Sequence, residues 1–260
     1  MDTSEMVLKH VCKQFKGLRA VDDFNADFKP GKIYGLIGTN GAGKSTVINM
    51  ISGSYRPTSG TIRYGEHRID QMKAYDIASI GVARTFQNLR IFKGMSVLDN
   101  VVVAAQLHDQ YNFGQMLFST GKYRKTEKQL REKAYACLET MEIAQYADVP
   151  AASLAYGHQR RLEIARCLAT DPTFLLLDEP AAGLNPNESM ALVGDIRKIH
   201  ETGNVTILLI EHDMKVIMSL CDYIYAMASG VVICEGDPKT VQNDPKVIKA
   251  YLGGDGDAES

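Results

Sequence analysis

Residues 33–46 read IYGLIGTNGAGKST and carry the strongest chemical signal in this 260-residue chain. An apolar, strand-like run leads into the pattern G-x-x-x-x-G-K-[ST], and an apolar, helix-like run follows it, which is the context that the pattern requires. Glycines let successive backbone N–H groups point at phosphate oxygens, while Lys44 offers a cation to the β- and γ-phosphates and the Ser45 hydroxyl suits Mg²⁺. The alternative is a tight strand–helix turn. The sequence therefore predicts a phosphate site made by Gly38, Thr39, Asn40, Gly41, Ala42, Gly43, Lys44, Ser45 and Thr46.

Two carboxylates end the apolar run FLLLDE, at Asp178 and Glu179. Acids at the end of a buried strand are costly unless a cation or a polar group uses them. Asp178 suits the coordination shell of Mg²⁺, and Glu179 could orient or deprotonate an attacking water. An ordinary solvated strand end is the alternative.

A third apolar run, TILLIEHD, delivers His212 to the same predicted sheet edge, where ligands of open α/β folds collect. This favours a contact between His212 and a γ-phosphate over a purely structural histidine. Gln87, in RTFQN, carries a weaker signal, and taken alone it predicts a surface glutamine.

Residues 153–169, SLAYGHQRRLEIARCLA, predict a helix that begins near Tyr156 and Gly157. The free N–H groups and the dipole at a helix N-terminus attract anions. The glycine at this end raises the question of which anion approaches it.

The elements that carry these residues predict an α/β fold. Compact apolar runs at 33–37, 174–177 and 206–210 are typical of strands buried on both faces of a mostly parallel sheet. Residues 6–30, 61–65 and 223–235 predict further strands. The stretch 96–145 has no convincing strand, and its charged part predicts a helix with an exposed face; contact with anionic lipid or a partner is the alternative.

Composition restricts the classes of function. The net charge of −2 makes no general case for a nucleic-acid partner, and the apolar runs are shorter than the ~20 residues that span a bilayer. The N-terminal residues do not resemble a secretory signal, and five scattered cysteines without a CxxC pair favour reduced thiols. We therefore expect a soluble, cytosolic chain whose contact with a membrane is peripheral.

Taken in order, these segments resemble the ATP-binding subunits of ABC transporters from about Met6 to Gly254. GTNGAGKS resembles their Walker A motif, FLLLDE resembles Walker B, and LAYGH resembles the signature motif. RTFQN, LAYG-x-QRRLEIAR, DEPAAGLNP, LLIEHDM and the closing AYLG resemble the versions found in branched-chain amino-acid importers.

The resemblance implies a P-loop NTPase core of the ABC ATPase type. That fold has a mostly parallel central sheet, an N-terminal antiparallel β region and an inserted helical subdomain. The implied domains are a core at 1–87 and 161–254, a helical subdomain at 88–160 with the signature motif, and a flexible tail at 255–260.

The resemblance also implies roles for single residues. Phe15 stacks on adenine, unless it is a core residue of the first strand; Gln87 contacts Mg²⁺ or the attacking water; Glu179 is the general base and His212 the switch histidine. Two subunits face head to tail, so that the signature segment of one contacts the γ-phosphate of ATP held by the other. That segment is Leu154, Ala155, Tyr156, Gly157 and His158.

Two departures from the usual family pattern stand out. Ala155 lacks the hydroxyl of the common LSGGQ signature, and Asn185 replaces the usual aspartate of the loop AGLN that crosses to the second subunit.

The implied function is an ATPase, using ATP and Mg²⁺, that powers uptake of branched-chain or other hydrophobic amino acids. Its implied partners are transmembrane permease subunits and a second ATP-binding subunit, either identical or a sister, at the cytoplasmic face of the cell membrane. The alternatives are the ATPase of a urea-type importer or of a lipopolysaccharide-type exporter. A soluble ABC ATPase on ribosomes or DNA would be expected to carry two cassettes or long coiled coils, and a non-catalytic binder to have lost Lys44 or Glu179.

Overall fold

The computed structural model of the chain describes residues 4–108, 121–203 and 205–252. It divides into two compact units. The first unit comprises Met1–Arg84, Thr173–Gly183 and Ile199–Ser260, and the second comprises Thr85–Pro172 and Leu184–Lys198. The flexible tail expected at 255–260 lies outside the described residues.

The described residues form ten strands and nine α-helices. The strands are β1 (Met6–Phe15), β2 (Leu18–Phe28), β3 (Ile33–Gly38), β4 (Ser59–Tyr64), β5 (His67–Arg68), β6 (Val82–Arg84), β7 (Phe174–Asp178), β8 (Thr206–Ile210), β9 (Tyr223–Ala228) and β10 (Val231–Gly236). The helices are α1 (Lys44–Ile51), α2 (Ala74–Ser79), α3 (Val97–Ala105), α4 (Gly121–Thr140), α5 (Tyr156–Leu168), α6 (Pro186–Gly203), α7 (Met214–Leu220), α8 (Pro238–Asn243) and α9 (Pro245–Leu252).

Six strands of the first unit form a sheet in the order β10-β9-β3-β8-β7-β6. Five of its strands, from β6 to β9 in that order, form four parallel pairs, and β10 is antiparallel to β9. Strands β3, β7 and β8 are buried along their whole length, which is why their sequences are apolar on both faces. The predicted mostly parallel sheet is confirmed, and the carboxyl ends of these three strands lie at one edge.

The remaining strands of the first unit form an antiparallel sheet in the order β2-β1-β4-β5. One hydrophobic core joins residues of this sheet, α1 and the six-stranded sheet. Phe28 is fully buried in it, with ring centroids 5.0 Å from Tyr34 and 5.9 Å from Phe174. Truncation of such a residue to alanine costs about 3–5 kcal/mol. The expected N-terminal antiparallel region is therefore confirmed, and it shares its core with the α/β sheet.

Helices build the second unit. Ser96 caps α3, because its hydroxyl accepts a hydrogen bond from the Asp99 N–H at 3.0 Å. Leu130, Ala134 and Leu138 are buried and follow one another at intervals of four in α4, so that they lie on one face of the helix. No β-strand occurs in the described part of residues 96–145, as predicted.

The charged side of α4 is exposed. Glu127 and Arg131, and likewise Lys128 and Glu132, approach to 3.7 Å as the spacing predicts. Exposed pairs of this kind contribute less than about 1 kcal/mol each, so they mark a solvated surface more than a source of stability.

Two further expectations from the sequence concern membrane-spanning helices and the state of the cysteines. No helix among the described residues combines the length and the apolar character needed to cross a membrane. All five cysteines lie in the described residues and are free thiols, in agreement with the expected reduced state.

Candidate functional site

The segment 38–45, called the phosphate loop here, joins the end of β3 to the start of α1. Lys44 is 6% exposed, and its Nζ atom donates to the carbonyl oxygens of Gly38 at 2.7 Å and Thr39 at 3.0 Å. Burial lowers the pKa of Lys44, while the nearby Glu179 and Asp178 carboxylates oppose that shift. A buried ammonium group that is bonded to neutral carbonyls gains energy when an anion enters, so the loop suits a phosphate chain.

The N-terminus of α1 also suits an anion. Gly43 is its N-cap, no side chain caps it, and its first turn holds no acidic residue. The φ angle of Gly43 is 104°, and a Cβ atom there would lie 2.5 Å from the Ala20 carbonyl oxygen. Only glycine therefore fits this turn. Because no side chain caps the helix, its first N–H groups are available to phosphate oxygens. The exposed side chain of Ser45 belongs to the same turn.

Asp178 ends β7 as a buried carboxylate. Its Oδ2 atom accepts a hydrogen bond from Nη2 of Arg84 at 3.0 Å. The Nη1 atom of Arg84 donates to Asn49 Oδ1 at 2.7 Å, in the last turn of α1, and to Ser52 Oγ at 2.8 Å, directly after that helix. Arg84 thus ties the carboxylate to the helix that follows the phosphate loop. Sequence reasoning missed this role, although Arg84 opens the RTFQN segment.

Glu179 follows Asp178 in a conformation that is uncommon for a side chain other than glycine, with a φ angle of 50°. Its N–H donates to the Ile210 carbonyl at 3.0 Å, which links the ends of β7 and β8. Its Oε1 atom lies 2.6 Å from Nε2 of His212. The structure therefore brings the predicted base and the predicted γ-phosphate contact into direct contact.

Glu211 is a site residue that sequence reasoning missed. Its two carboxylate oxygens accept hydrogen bonds from Ala181 N–H at 2.7 Å and from His212 N–H at 3.2 Å. Burial raises the pKa of Glu211, and these N–H donors oppose the shift. The carboxylate thereby joins the loop after Glu179 to the loop that carries His212. The signal was available, since an acid directly after a buried strand needs polar partners.

The donor set fits magnesium better than a transition metal. Within the described residues, no group of three or more His, Cys, Asp or Glu side chains could hold a metal ion. Mg²⁺ needs only one or two protein oxygens, because it keeps waters and takes phosphate oxygens. The hydroxyl of Ser45 and the carboxylate of Asp178 are donors of that kind. Gln87, the third predicted ligand, lies in the second unit.

Phe15 lies at the end of β1, and it is 37% exposed. The core alternative for this residue is therefore wrong. Its ring meets the Tyr55 ring edge-on at 5.3 Å, and the Lys13 Nζ atom lies 5.0 Å from its centre. An exposed ring of this kind offers a flat surface to an aromatic base.

In the second unit, α5 holds the backbone around Gln87. Buried Arg160 donates to the carbonyls of Phe86 at 3.1 Å and Gln87 at 2.8 Å. Glu163 accepts from the Phe86 N–H at 3.1 Å and pairs with Arg160 at 3.3 Å. Arg160 therefore pairs locally, with Glu163 and with the backbone of the RTFQN segment. The Gln87 side chain itself is exposed.

The start of α5 has the geometry that the sequence predicted. The helix begins at Tyr156 with Ala155 as its N-cap, no side chain caps it, and no acid lies in its first turn. Leu154 is buried and Tyr156 is exposed, while His158 packs on the Tyr146 ring at 4.9 Å. A cavity of about 280 Å³ borders this end of the helix and is lined by Ala155, Gly157, His158, Arg161, Leu184, Asn187, Glu188, Ala191 and Leu192.

Asn185 has a local structural role. Its side-chain oxygen accepts from the N–H groups of Asn187 and Glu188, each at 3.0 Å, and Glu188 accepts from the Asn185 N–H at 3.0 Å. This reciprocal arrangement is a capping box at the start of α6. Asparagine and aspartate cap helices about equally well, which explains how this replacement keeps the helix start.

Comparisons with known proteins agree with these features. The family model "ABC transporter" matches residues 21–182, and the model "Branched-chain amino acid ATP-binding cassette transporter" matches residues 231–257. The chain is 46% identical over 240 residues to the high-affinity branched-chain amino acid transport ATP-binding protein BraF of Pseudomonas aeruginosa, covering 92% of this chain and 94% of that one. It is 44% identical over 242 residues to LivG of Escherichia coli K12, with the same coverage.

Among solved structures, the ADP conformation of MJ1267, an ATP-binding cassette of an ABC transporter, is similar with a TM-score of 0.83 and 30% identity. That match covers 96% of this chain and 99% of the other. The predicted P-loop NTPase architecture is thereby confirmed. The chain belongs to the ABC transporter family, whose ATP-binding subunits are ATPases coupled to transport.

Proposed function

We propose that the chain binds MgATP at the phosphate loop and hydrolyses it with Glu179 as general base. The observation that carries this proposal is the buried Lys44 ammonium group at the uncapped start of α1, beside two acidic strand ends. Lys44 and the loop N–H groups hold the β- and γ-phosphates, and Phe15 stacks on adenine. A bound magnesium ion would be held by Ser45 and Asp178, and it would neutralise charge on the phosphate oxygens.

The proposed chemistry is attack of a water oxygen on the γ-phosphorus. Glu179 accepts the proton of that water as the new P–O bond forms and the bond to the β-phosphate oxygen breaks. His212 holds the Glu179 carboxylate by its Nε2 atom and contacts the γ-phosphate. Glu211 keeps the two loops together through its bonds to Ala181 and His212.

Two subunits act together in this proposal. The support is the second uncapped helix start, at Tyr156, and the glycine that follows it. Glycine in a helix costs about 0.5–1 kcal/mol relative to alanine, and a Cβ atom at Gly157 would meet only ordinary contacts, the nearest 3.6 Å away. Packing within the second unit therefore does not require glycine, whereas close approach of a phosphate held by another subunit does. The segment from Leu154 to His158 supplies that contact.

The proposed biological role is uptake of branched-chain or other hydrophobic amino acids. It is supported by the similarity to BraF and LivG and by the C-terminal family match. The chain acts at the cytoplasmic face of the membrane with permease subunits. Residues 88–160 form the helical domain, which transmits the closing of the two ATP-binding subunits to the permease. The second ATP-binding subunit is identical or a sister.

Uptake in cells tests this role. A strain that lacks the gene is complemented with the wild-type chain or with Glu179→Gln, and uptake of radiolabelled leucine, isoleucine, valine and urea is followed. We expect the wild type alone to restore branched-chain uptake, and an N-terminally tagged chain to co-purify with integral membrane proteins from detergent extracts. Restored urea uptake, or co-purification of ribosomes or nucleic acid without membrane proteins, would contradict the proposal.

A further inference from the structure

The C-terminal part of the first unit contacts the phosphate loop at two backbone groups. Gly230, in the turn between β9 and β10, donates its N–H to the Ala42 carbonyl at 3.0 Å. The hydroxyl oxygen of Tyr251, in α9, accepts a hydrogen bond from the Gly38 N–H at 2.9 Å. These bonds hold the phosphate loop at Ala42, near its middle, and at Gly38, its first residue. The second one joins residues 213 positions apart in the chain.

Gly38 connects Tyr251 to Lys44. The N–H of Gly38 is bonded to Tyr251, and its carbonyl oxygen accepts from the Lys44 Nζ atom at 2.7 Å. Gly38 is buried and has no side chain that could hold it in place, so its orientation depends on backbone bonds of this kind. Loss of the Tyr251 bond would leave a buried N–H without that partner and allow rotation about φ and ψ of Gly38, which moves its carbonyl oxygen. The Lys44 ammonium group would then lose a fixed acceptor.

Helix α9 presents Tyr251 in a defined position. Asp244 precedes the helix, and its Oδ1 atom accepts from the N–H groups of Lys246 at 2.7 Å and Val247 at 3.2 Å. Val247 is buried, which anchors the first turn of the helix in the first unit. Burial raises the pKa of Tyr251, and the Gly38 N–H opposes that shift. The hydroxyl is therefore protonated at neutral pH, and it acts here as a neutral acceptor.

We propose that Tyr251 is a positioning residue for the phosphate loop, and that its hydroxyl holds Gly38 in the orientation that readies Lys44 for phosphate. The inference rests on the proposed nucleotide site. It gives Tyr251, in the closing AYLG segment, a role in nucleotide binding. None of the site residues predicted from the sequence lies in that segment. A purely structural tie, by which Tyr251 only docks α9 on the first unit, is the competing explanation.

The variant Tyr251→Phe tests the hydroxyl alone, because the ring and its packing are kept. In nucleotide-free protein, we expect the Gly38 amide proton to exchange with deuterium about 3- to 10-fold faster, measured by NMR. We also expect the dissociation constant of MgADP, measured by calorimetry, to rise about 3- to 10-fold, the range that a net hydrogen bond supplies. The maximal hydrolysis rate changes less than the KM for ATP, because the hydroxyl does not touch the reacting atoms.

Tyr64→Phe is the matched control. The Tyr64 hydroxyl is bonded to Thr173 Oγ1 within the same unit, and no bond joins it to the phosphate loop among the described contacts. We expect this variant to lose thermal stability while its dissociation constant stays within about twofold of the wild-type value. An unchanged dissociation constant and an unchanged Gly38 exchange rate in Tyr251→Phe would overturn the inference and leave only the structural tie. Absence of nucleotide binding in the wild type would instead overturn the proposed function.

Discussion

The Nε2 atom of His212 lies 2.6 Å from the Oε1 atom of Glu179, so that side chains from the ends of two neighbouring parallel strands form one hydrogen-bonded pair. The pair is 33 residues apart in sequence. In the proposed mechanism the two groups have different tasks, since the carboxylate accepts a proton while the imidazole orients it. Substitution of each residue in turn separates these tasks.

Glu179→Gln should abolish turnover and keep nucleotide binding. The amide retains the size of the side chain but cannot accept a proton from water, and a general base contributes about 10²- to 10⁴-fold to a rate. Phosphate release measures the first effect, and calorimetry with MgATP measures the second. Glu201→Gln, at an exposed position of α6, is the control and should hydrolyse normally. Turnover of Glu179→Gln within about threefold of the wild-type rate would show that another group is the base.

His212→Ala should lower turnover by about 10- to 100-fold, the cost of a hydrogen bond to a charged group. His212→Gln should recover part of that loss, because an amide can still donate to the Glu179 carboxylate. The affinity for MgADP, which lacks the γ-phosphate, should stay near the wild-type value in both variants. If alanine and glutamine gave equal rates close to that of the wild type, the pair would have no catalytic role.

Arg160→Ala should release the backbone around Gln87. The substitution removes the donors to the Phe86 and Gln87 carbonyls and leaves the buried Glu163 carboxylate without this cation, a change that costs about 3–5 kcal/mol. Urea unfolding measures the loss, and hydrogen exchange should accelerate at residues 86–90. Lys128→Ala, on the exposed face of α4, serves as the control and should cost less than about 1 kcal/mol. Equal effects of the two variants would contradict the anchoring role.

Asp195 should make stability depend on pH. Burial raises its pKa from 3.8 to about 6, although the salt bridge to Arg161 at 2.9 Å opposes the shift. The folded state therefore binds this proton more tightly than the unfolded state. The contribution of Asp195 to the free energy of unfolding consequently falls as the pH rises from about 4 to about 6.

The measurement compares wild type with Asp195→Asn in urea at several pH values. The difference in unfolding free energy, wild type minus variant, should decrease by roughly 1–3 kcal/mol across that range. Subtraction removes the contributions of other buried acids such as Glu163 and Glu211, which are present in both proteins. A difference that is constant or increases with pH would mean that the salt bridge with Arg161 outweighs burial.

Local pattern was enough to predict the strand ends and the loop. Buried parallel strands are apolar on both faces, so β3, β7 and β8 were recognisable, and the polar residues that follow them had to meet at one sheet edge. The uncapped starts of α1 and α5 were also predictable, because each shows a glycine where a helix begins.

The contacts of Arg84, Glu211 and Tyr251 could not be predicted from pattern alone, although an acid at a strand end such as Glu211 does indicate a need for polar partners. Each acts through a partner that is distant in sequence, and the Tyr251 contact exists only because α9 packs in the first unit with one particular face inward. The cap formed by Asn185 illustrates the opposite case. Its departure from the usual aspartate was visible in the sequence, but the local hydrogen bonds that explain it needed coordinates.

Every proposed step begins with a magnesium-bound adenine nucleotide at Lys44 and the phosphate loop. The most direct test is calorimetric titration of the intact chain with ATP, with Mg²⁺ and with EDTA, beside the variant Lys44→Ala. We expect saturable binding that weakens when Mg²⁺ is removed and falls by about 10- to 100-fold in Lys44→Ala, the loss of a charge-assisted bond. Binding that is absent in the folded wild type, or equal in the two proteins, would contradict it.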